Sequence, residues 1–144
     1  KYEVDITVPK NTTHLTRQRT LIKVWRGVIY EYEVMFPPGC AGLVKCAIYL
    51  GGRQIIPVNE GSYMKGDGGM IRGKEFIELK KETNNIFVYT YNEDDTYDHT
   101  ITIRLWVLPK NVVLPIGATE GILEALKSLV IKPIVITELK EGEG

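Results

Sequence analysis

Gly68 to Glu75 reads G-G-M-I-R-G-K-E, and the spacing of Gly68, Gly73 and Lys74 matches a phosphate-binding P-loop as far as its lysine. The next position is Glu75, where that loop needs Ser or Thr to hold magnesium. A P-loop also opens a helix, whose free N–H groups meet the phosphates, whereas strand-like Phe76, Ile77 and Leu79 follow here. This stretch therefore reads as a Gly-rich surface loop, and no nucleotide is expected. The run Asn92-Glu93-Asp94-Asp95-Thr96-Tyr97-Asp98-His99 concentrates oxygen-bearing groups that a calcium ion could use, with Asp94, Asp95 and Asp98 as the candidate ligands. It lacks the D-x-D-x-D-G order of an EF-hand, and the alternative is a turn in which Asn and Asp side chains bond the local backbone. The turn is the expectation, with no metal and no cofactor. His14 and His99 sit in separate polar segments, and the two serines, Ser62 and Ser128, fall in the Gly-rich loop and in a helical pattern. No nucleophile–base pair is legible, so no enzyme is expected. Glu31 and Glu33 share a strand face and could flank a sugar as glycosidase carboxylates do, but read as the solvated face of a half-buried strand.

Tyr30, Tyr32, Tyr89, Tyr91, Tyr97, Trp25 and Trp106 could form a sugar-stacking platform, or could simply be cross-strand packing. Asn11-Thr12-Thr13 is a glycosylation sequon, relevant in a eukaryotic secretory setting that nothing else supports. Cys40 and Cys46 are too few for a disulfide framework and lack C-x-x-C spacing. Cys46 falls in an apolar alternation and reads as a small core hydrophobe. A bridge to Cys40 would require the chain to turn back within six residues.

These residues need a scaffold, and the 144-residue chain supplies one with strand signals. Val4, Ile6 and Val8 alternate with polar partners; so do Val28, Tyr30, Tyr32, Val34 and Phe36, then Val44, Cys46, Ile48 and Leu50, and finally Ile101, Ile103, Leu105 and Val107. Arg26-Gly27 and the charged run 80–84 read as turns, residues 60–74 as a loop, and Gly51-Gly52 as a hairpin turn. About eight strands with turns every ~8–12 residues predict an all-β domain over 1–109, an antiparallel β-sandwich or jelly roll. Residues 1–8 alternate charged and apolar side chains, unlike the apolar core of a signal peptide. Eighteen basic and eighteen acidic residues cancel, which removes the bulk-charge argument for nucleic acid, and no apolar run is long enough to span a membrane.

After Pro109 the pattern changes to an arm over 110–144. Thr119 is placed as an N-cap, and Ile122, Leu123, Leu126, Leu129 and Val130 recur at helical spacing, predicting a helix over about 119–130. Pro133 stops it; Ile134, Val135 and Ile136 make an extended segment over 131–139, and the polar end is frayed. The arm either returns to its own domain or reaches a neighbour. With the β domain able to close its own core, Ile122, Leu123, Leu126, Leu129, Val130, Ile134 and Ile136 are expected to form an interface.

The stretches Phe36-Pro37-Pro38-Gly39-Cys40-Ala41-Gly42-Leu43-Val44, Gln54-Ile55-Ile56-Pro57, Tyr91-Asn92-Glu93-Asp94-Asp95-Thr96-Tyr97 and His99-Thr100-Ile101-Thr102-Ile103-Arg104 resemble small virion-associated proteins of head or decoration type from tailed viruses of bacteria and archaea and their proviruses. The resemblance runs from about Val4 to Pro109 and does not include the arm. It implies a non-enzymatic structural protein of the virion, made in the host cytoplasm. A capsid decoration or cementing role follows, with the major capsid protein or other virion proteins and further copies of the chain as partners, and neither nucleic acid nor membrane. A tail or head–tail connector component, or a carbohydrate- or receptor-binding module, is the alternative.

Overall fold

The computed structural model describes residues 1–112. The helix expected over 119–130, the extended segment 131–139 and the interface residues Ile122, Leu123, Leu126, Leu129, Val130, Ile134 and Ile136 lie outside the described residues. Residues Lys1–Val107 form one compact unit.

Six strands account for most of this unit: β1 Tyr2–Val8, β2 Gln18–Phe36, β3 Val44–Leu50, β4 Arg53–Ile56, β5 Gly69–Asn92 and β6 His99–Leu108. They form one mostly antiparallel sheet in the order β1-β6-β2-β5-β3-β4. The domain is all-β, as the alternation predicts. The expected eight strands become six among the described residues, because two pairs of predicted strands are each one long strand.

The reason is visible at the two sites read as turns. Arg26 and Gly27 lie inside β2, at a register shift in its pairing with β5 between Trp25↔Thr83 and Gly27↔Leu79. Within the run 80–84, residues 80–82 are the bulge opposite that shift, while Thr83 and Asn84 stay paired with Trp25 and Val24, so the run is not a reversal. Asn84, 4% exposed, braces it: its Nδ2 donates to Lys81 O (2.9 Å) and Val24 O (3.3 Å), and its Oδ1 accepts from Lys81 N (3.3 Å). A bulge bends a strand and raises its twist without ending it. β5 likewise begins at Gly69, inside the segment expected to be loop. Gly73 leaves room there for the Tyr32 ring, which lies over it: a Cβ would sit 2.7 Å from that ring.

A second shift, between Ile29 and Glu31, reverses the alternation within β2. Ile29 thereby joins the core cluster with Val34 and Phe36, which a strict period of two does not allow. The core takes Ile6 and Val8 from β1, Ile101, Ile103 and Leu105 from β6, and Val44, Cys46, Ile48, Ile55 and Ile56 from β3 and β4. Strands at opposite ends of the sheet order thus bury their side chains in one cluster. Of the inward residues expected of β3 and β6, Val44, Cys46, Ile48, Ile101, Ile103 and Leu105 lie in it, and Leu50 and Val107 pack against it half-buried. Burying each such side chain contributes about 1.5–3 kcal/mol relative to exposure. Cys40 and Cys46 are both buried and both free, with no bridge between them. Burial pushes the Cys46 thiol up to about 12.

Candidate functional site

The P-P-G-C and N-E-D-D-T-Y stretches are far apart in sequence and meet at one end of the sheet. The loop after β2 and the loop between β5 and β6 are joined by Glu93 N donating to Leu43 O (3.1 Å). Asn92, fully buried at the end of β5, is the hub. Its Nδ2 donates to Val8 O of β1 (3.1 Å) and to Tyr97 O (2.9 Å), while its Oδ1 accepts from Asp94 N (2.9 Å). Its own N–H donates to Thr12 Oγ1 (2.7 Å), and its carbonyl accepts from Thr12 N (2.9 Å). One side chain and its backbone therefore bind β1, the loop after it and the β5–β6 turn to one another.

Asp94 completes the turn. Its Oδ1 accepts from Thr96 N (2.8 Å) and Tyr97 N (3.3 Å), and its Oδ2 lies 2.8 Å from Nε2 of His99. The hydrogen bond from His99, then that from Thr96, holds the Asp94 carboxyl below the ordinary aspartate range. His99 opens β6 on the inward side, across from Val8, and is buried. Its Cε1 faces Gly39, whose φ of 100° favours glycine and whose amide donates to Asp67 Oδ1 (2.8 Å). Cys40 adjoins this group. Burial first, then Asp67 and Asp94, pushes its thiol up. A nucleophilic or metal-binding cysteine needs its thiolate, and this environment disfavours it. His99 and Asp94 thus form a buried brace, with the Cys40 thiol buried next to Gly39 in the chain.

The three candidate calcium ligands do not converge. Asp94 faces His99, Asp95 accepts from Thr96 Oγ1 (2.8 Å), and Asp98 accepts from Lys10 N (2.9 Å). Among the described residues no group of three or more His, Cys, Asp or Glu side chains is placed to hold a metal ion. The Gly68–Lys74 spacing is not a phosphate cradle, because Gly73 and Lys74 pair as strand with Tyr32 and Glu31. Ser62 Oγ is engaged by Asn59 Nδ2 (2.5 Å).

Glu33 corrects the reading of a solvated face, since it is 5% exposed. Arg72 Nε donates to its Oε1 (2.7 Å) and Arg104 Nη1 to its Oε2 (3.2 Å), while Arg104 also binds Glu3. The four side chains form a ladder of alternating charge across β1, β6, β2 and β5. Burial pushes the Glu33 carboxyl up, but the hydrogen bonds from Arg72 and Arg104 outweigh it and hold it below the usual range. Sequence spacing gives no sign of this, because the two arginines lie 39 and 71 residues from Glu33.

The aromatic residues divide. Tyr32 covers Gly73, Trp25 and Tyr97 stand exposed, and Tyr30 and Trp106 are half-buried. Tyr89 and Tyr91 come together with Tyr49 and Tyr63, two tyrosines absent from the sequence-derived platform. Ring centroids are 4.8 Å apart for Tyr49–Tyr89 and 5.1 Å for Tyr63–Tyr91, both edge to face. These rings lie on the outer side of β2, β5 and β3, where Arg19 pairs with Tyr89, Lys45 with Tyr91 and Tyr49 with Phe87. The Arg17 guanidinium lies 5.2 Å from the centre of the Tyr89 ring, and that of Arg19 lies 4.8 Å from the centre of Phe87. The signal for this face was period-two alternation of the aromatics in β5, with Arg17 and Arg19 at the entry to β2 and the register needed to place one over the other.

Comparison of the chain with protein families, with characterised proteins and with solved structures finds no match. Function is therefore argued from the geometry and from the sequence resemblance.

Proposed function

We propose that the chain is a non-enzymatic structural component of a virus particle, a decoration or cementing protein that binds the capsid lattice and neighbouring copies. One observation carries this reading. The two stretches most specific to the resemblance, around Cys40 and around Asp94, are used as architecture: Asn92, Asp94, Asp67 and His99 direct their polar atoms at the chain's own backbone and at each other. A motif whose polar groups close a fold suits a scaffold, whereas a catalytic motif leaves a nucleophile or ligand free to meet substrate.

The curled sheet is read here as a sandwich of jelly-roll type, since both ends of the strand order feed one core. Such a domain resists local opening and suits a protein that must hold its shape on a lattice. The arm, in whose sequence Ile122, Leu126 and Leu129 recur at helical spacing, is assigned to a capsid protein or to a second copy. The test is to purify particles from a host that carries the gene and quantify the chain by mass spectrometry. Presence at a fixed ratio to the major capsid protein supports the assignment. Enrichment in the soluble lysate, with none in the particles, overturns it.

A further inference from the structure

We propose that the outer face of β2, β5 and β3 binds single-stranded nucleic acid. Some cations on this face have carboxylate partners and others do not. Arg17 and Arg19 are exposed and lie over rings, and neither is paired with a carboxylate among the described residues. Arg17 uses its Nη1 to donate to His14 O (2.7 Å), which fixes the side chain without neutralising it. Lys23 shares the face, as its pairing with Asn85 shows. Lys45 donates to Gly42 O (2.6 Å) and lies 3.9 Å from Glu93, the acidic side chain nearest it here.

A guanidinium stacked on a ring presents two things outward: its other planar face and its in-plane N–H donors. The first stacks a base, and the second meets a phosphate. Strand geometry sets the repeat of the rings, with Phe87, Tyr89 and Tyr91 about 7 Å apart along β5, and Arg17, just before β2, and Arg19, within it, place their guanidinium groups over Tyr89 and Phe87. The fitting ligand therefore carries negative charge at regular intervals and planar groups between the charges. A neutral sugar leaves the guanidinium groups without partners. An acidic peptide offers charge but no planar faces, and a duplex keeps its bases stacked on one another. A single strand supplies both, as it does on other sheet faces built from aromatic and cationic side chains. The zero net charge of the whole chain does not oppose this, because Glu33 and Glu3 are paired with Arg72 and Arg104 and do not offset Arg17 and Arg19.

The experiment is fluorescence anisotropy of the full chain with a labelled oligo-dT of about 20 nucleotides, longer than the ~4–16 that one such face covers. Saturable binding at about 50 mM salt is expected. Arg17→Gln with Arg19→Gln should weaken it at least tenfold and flatten the dependence of log Kobs on log salt by about 1.4, at about 0.7 for each lost cation. Tyr89→Leu keeps the cations, so it should lose about tenfold in affinity with the salt slope unchanged. No binding at low salt overturns the proposal, as does binding that neither variant changes. Equal affinity for a duplex of the same length overturns the single-strand assignment, and equal displacement by poly-glutamate shows plain polyanion attraction and overturns it too. None of these outcomes bears on whether the chain is found in particles, so this proposal and the structural role fail separately.

Discussion

The turn end of the sheet and the outer face of β2, β5 and β3 both concentrate polar and titratable side chains, and they use them in opposite ways. At the turn end the groups are buried and matched to one another. Asn92 engages three backbone groups with its side chain alone, and Asp94 takes two amides and the His99 ring. On the outer face Arg17 and Arg19 remain exposed over rings with no carboxylate to match them among the described residues. A buried polar group without a partner costs about 1–3 kcal/mol, so such groups are held by the fold itself. An exposed cation over an aromatic costs little to keep and stays available to a ligand. The richest motif in the sequence is therefore the less reactive of the two regions.

The comparison breaks first at Asn92. Asn92→Leu keeps the volume and removes the hydrogen bonds to Val8 O, Tyr97 O and Asp94 N, leaving those groups without their partner. Urea unfolding should report a loss of about 3–5 kcal/mol. A loss below about 1 kcal/mol would mean that water or relaxation replaces the brace, and the end of the sheet would not be architecture in the sense used here.

Asp94 sharpens the same region through pH. Its carboxyl is held below the ordinary value of 3.8 by His99, Thr96 and Tyr97. On acidification the unfolded chain takes up this proton before the folded one does. The stabilisation is then complete above about pH 4 and is lost as pH falls through the folded value. Glu3 and Glu33, both lowered by their arginines, act in the same direction. Asp94→Asn should be less stable near pH 7 and should lose less stability between about pH 5 and pH 3. Parallel acid-unfolding curves for the two proteins would show that the turn makes no such contribution.

Much of the scaffold was legible in the sequence. β6 reads directly from Ile101, Ile103, Leu105 and Val107, and the β3–β4 hairpin from the apolar alternation closed by Gly51-Gly52, because both rest on local periodicity. The continuity of β2 and β5 was not legible. Gly27 and the run 80–84 carry turn residues, and only the register between the two strands reveals a bulge. The turn after Asn92 was readable from its Asx residues, but its ties to Val8 and Thr12 cross 84 and 80 residues. The outer face was hidden for a different reason. A whole-chain charge count adds Arg17 and Arg19 to acids that lie elsewhere, and β5 aromatics signal packing until the strand beside them is known.

Thr90 tests the rule that inward polar groups are matched. It faces inward opposite Cys46, is fully buried, and its hydroxyl has no hydrogen-bond partner. Replacing it by the nearly isosteric valine removes a desolvated group without opening a cavity. Thr90→Val should raise stability by about 1 kcal/mol, read as a higher midpoint in thermal unfolding. A loss of similar size would imply that the hydroxyl is satisfied in solution and that the brace extends further into the sheet than its hydrogen bonds indicate.

The smallest effect on stability should come from the outer face, and its smallness is the point. An exposed cation–π contact contributes about 0.5–1 kcal/mol. Arg17 and Arg19 are two like charges two residues apart at the entry to β2, and their repulsion offsets part of that. The double change Arg17→Gln with Arg19→Gln should therefore move the unfolding free energy by about 0.5 kcal/mol or less. In the same protein the affinity for oligo-dT should fall at least tenfold. The two measurements together separate a face kept for a ligand from a face kept for the fold. If the double variant instead unfolds with a loss near that of Asn92→Leu, the guanidinium groups are part of the scaffold. The contrast between the two regions would then disappear, because both would owe their side chains to architecture.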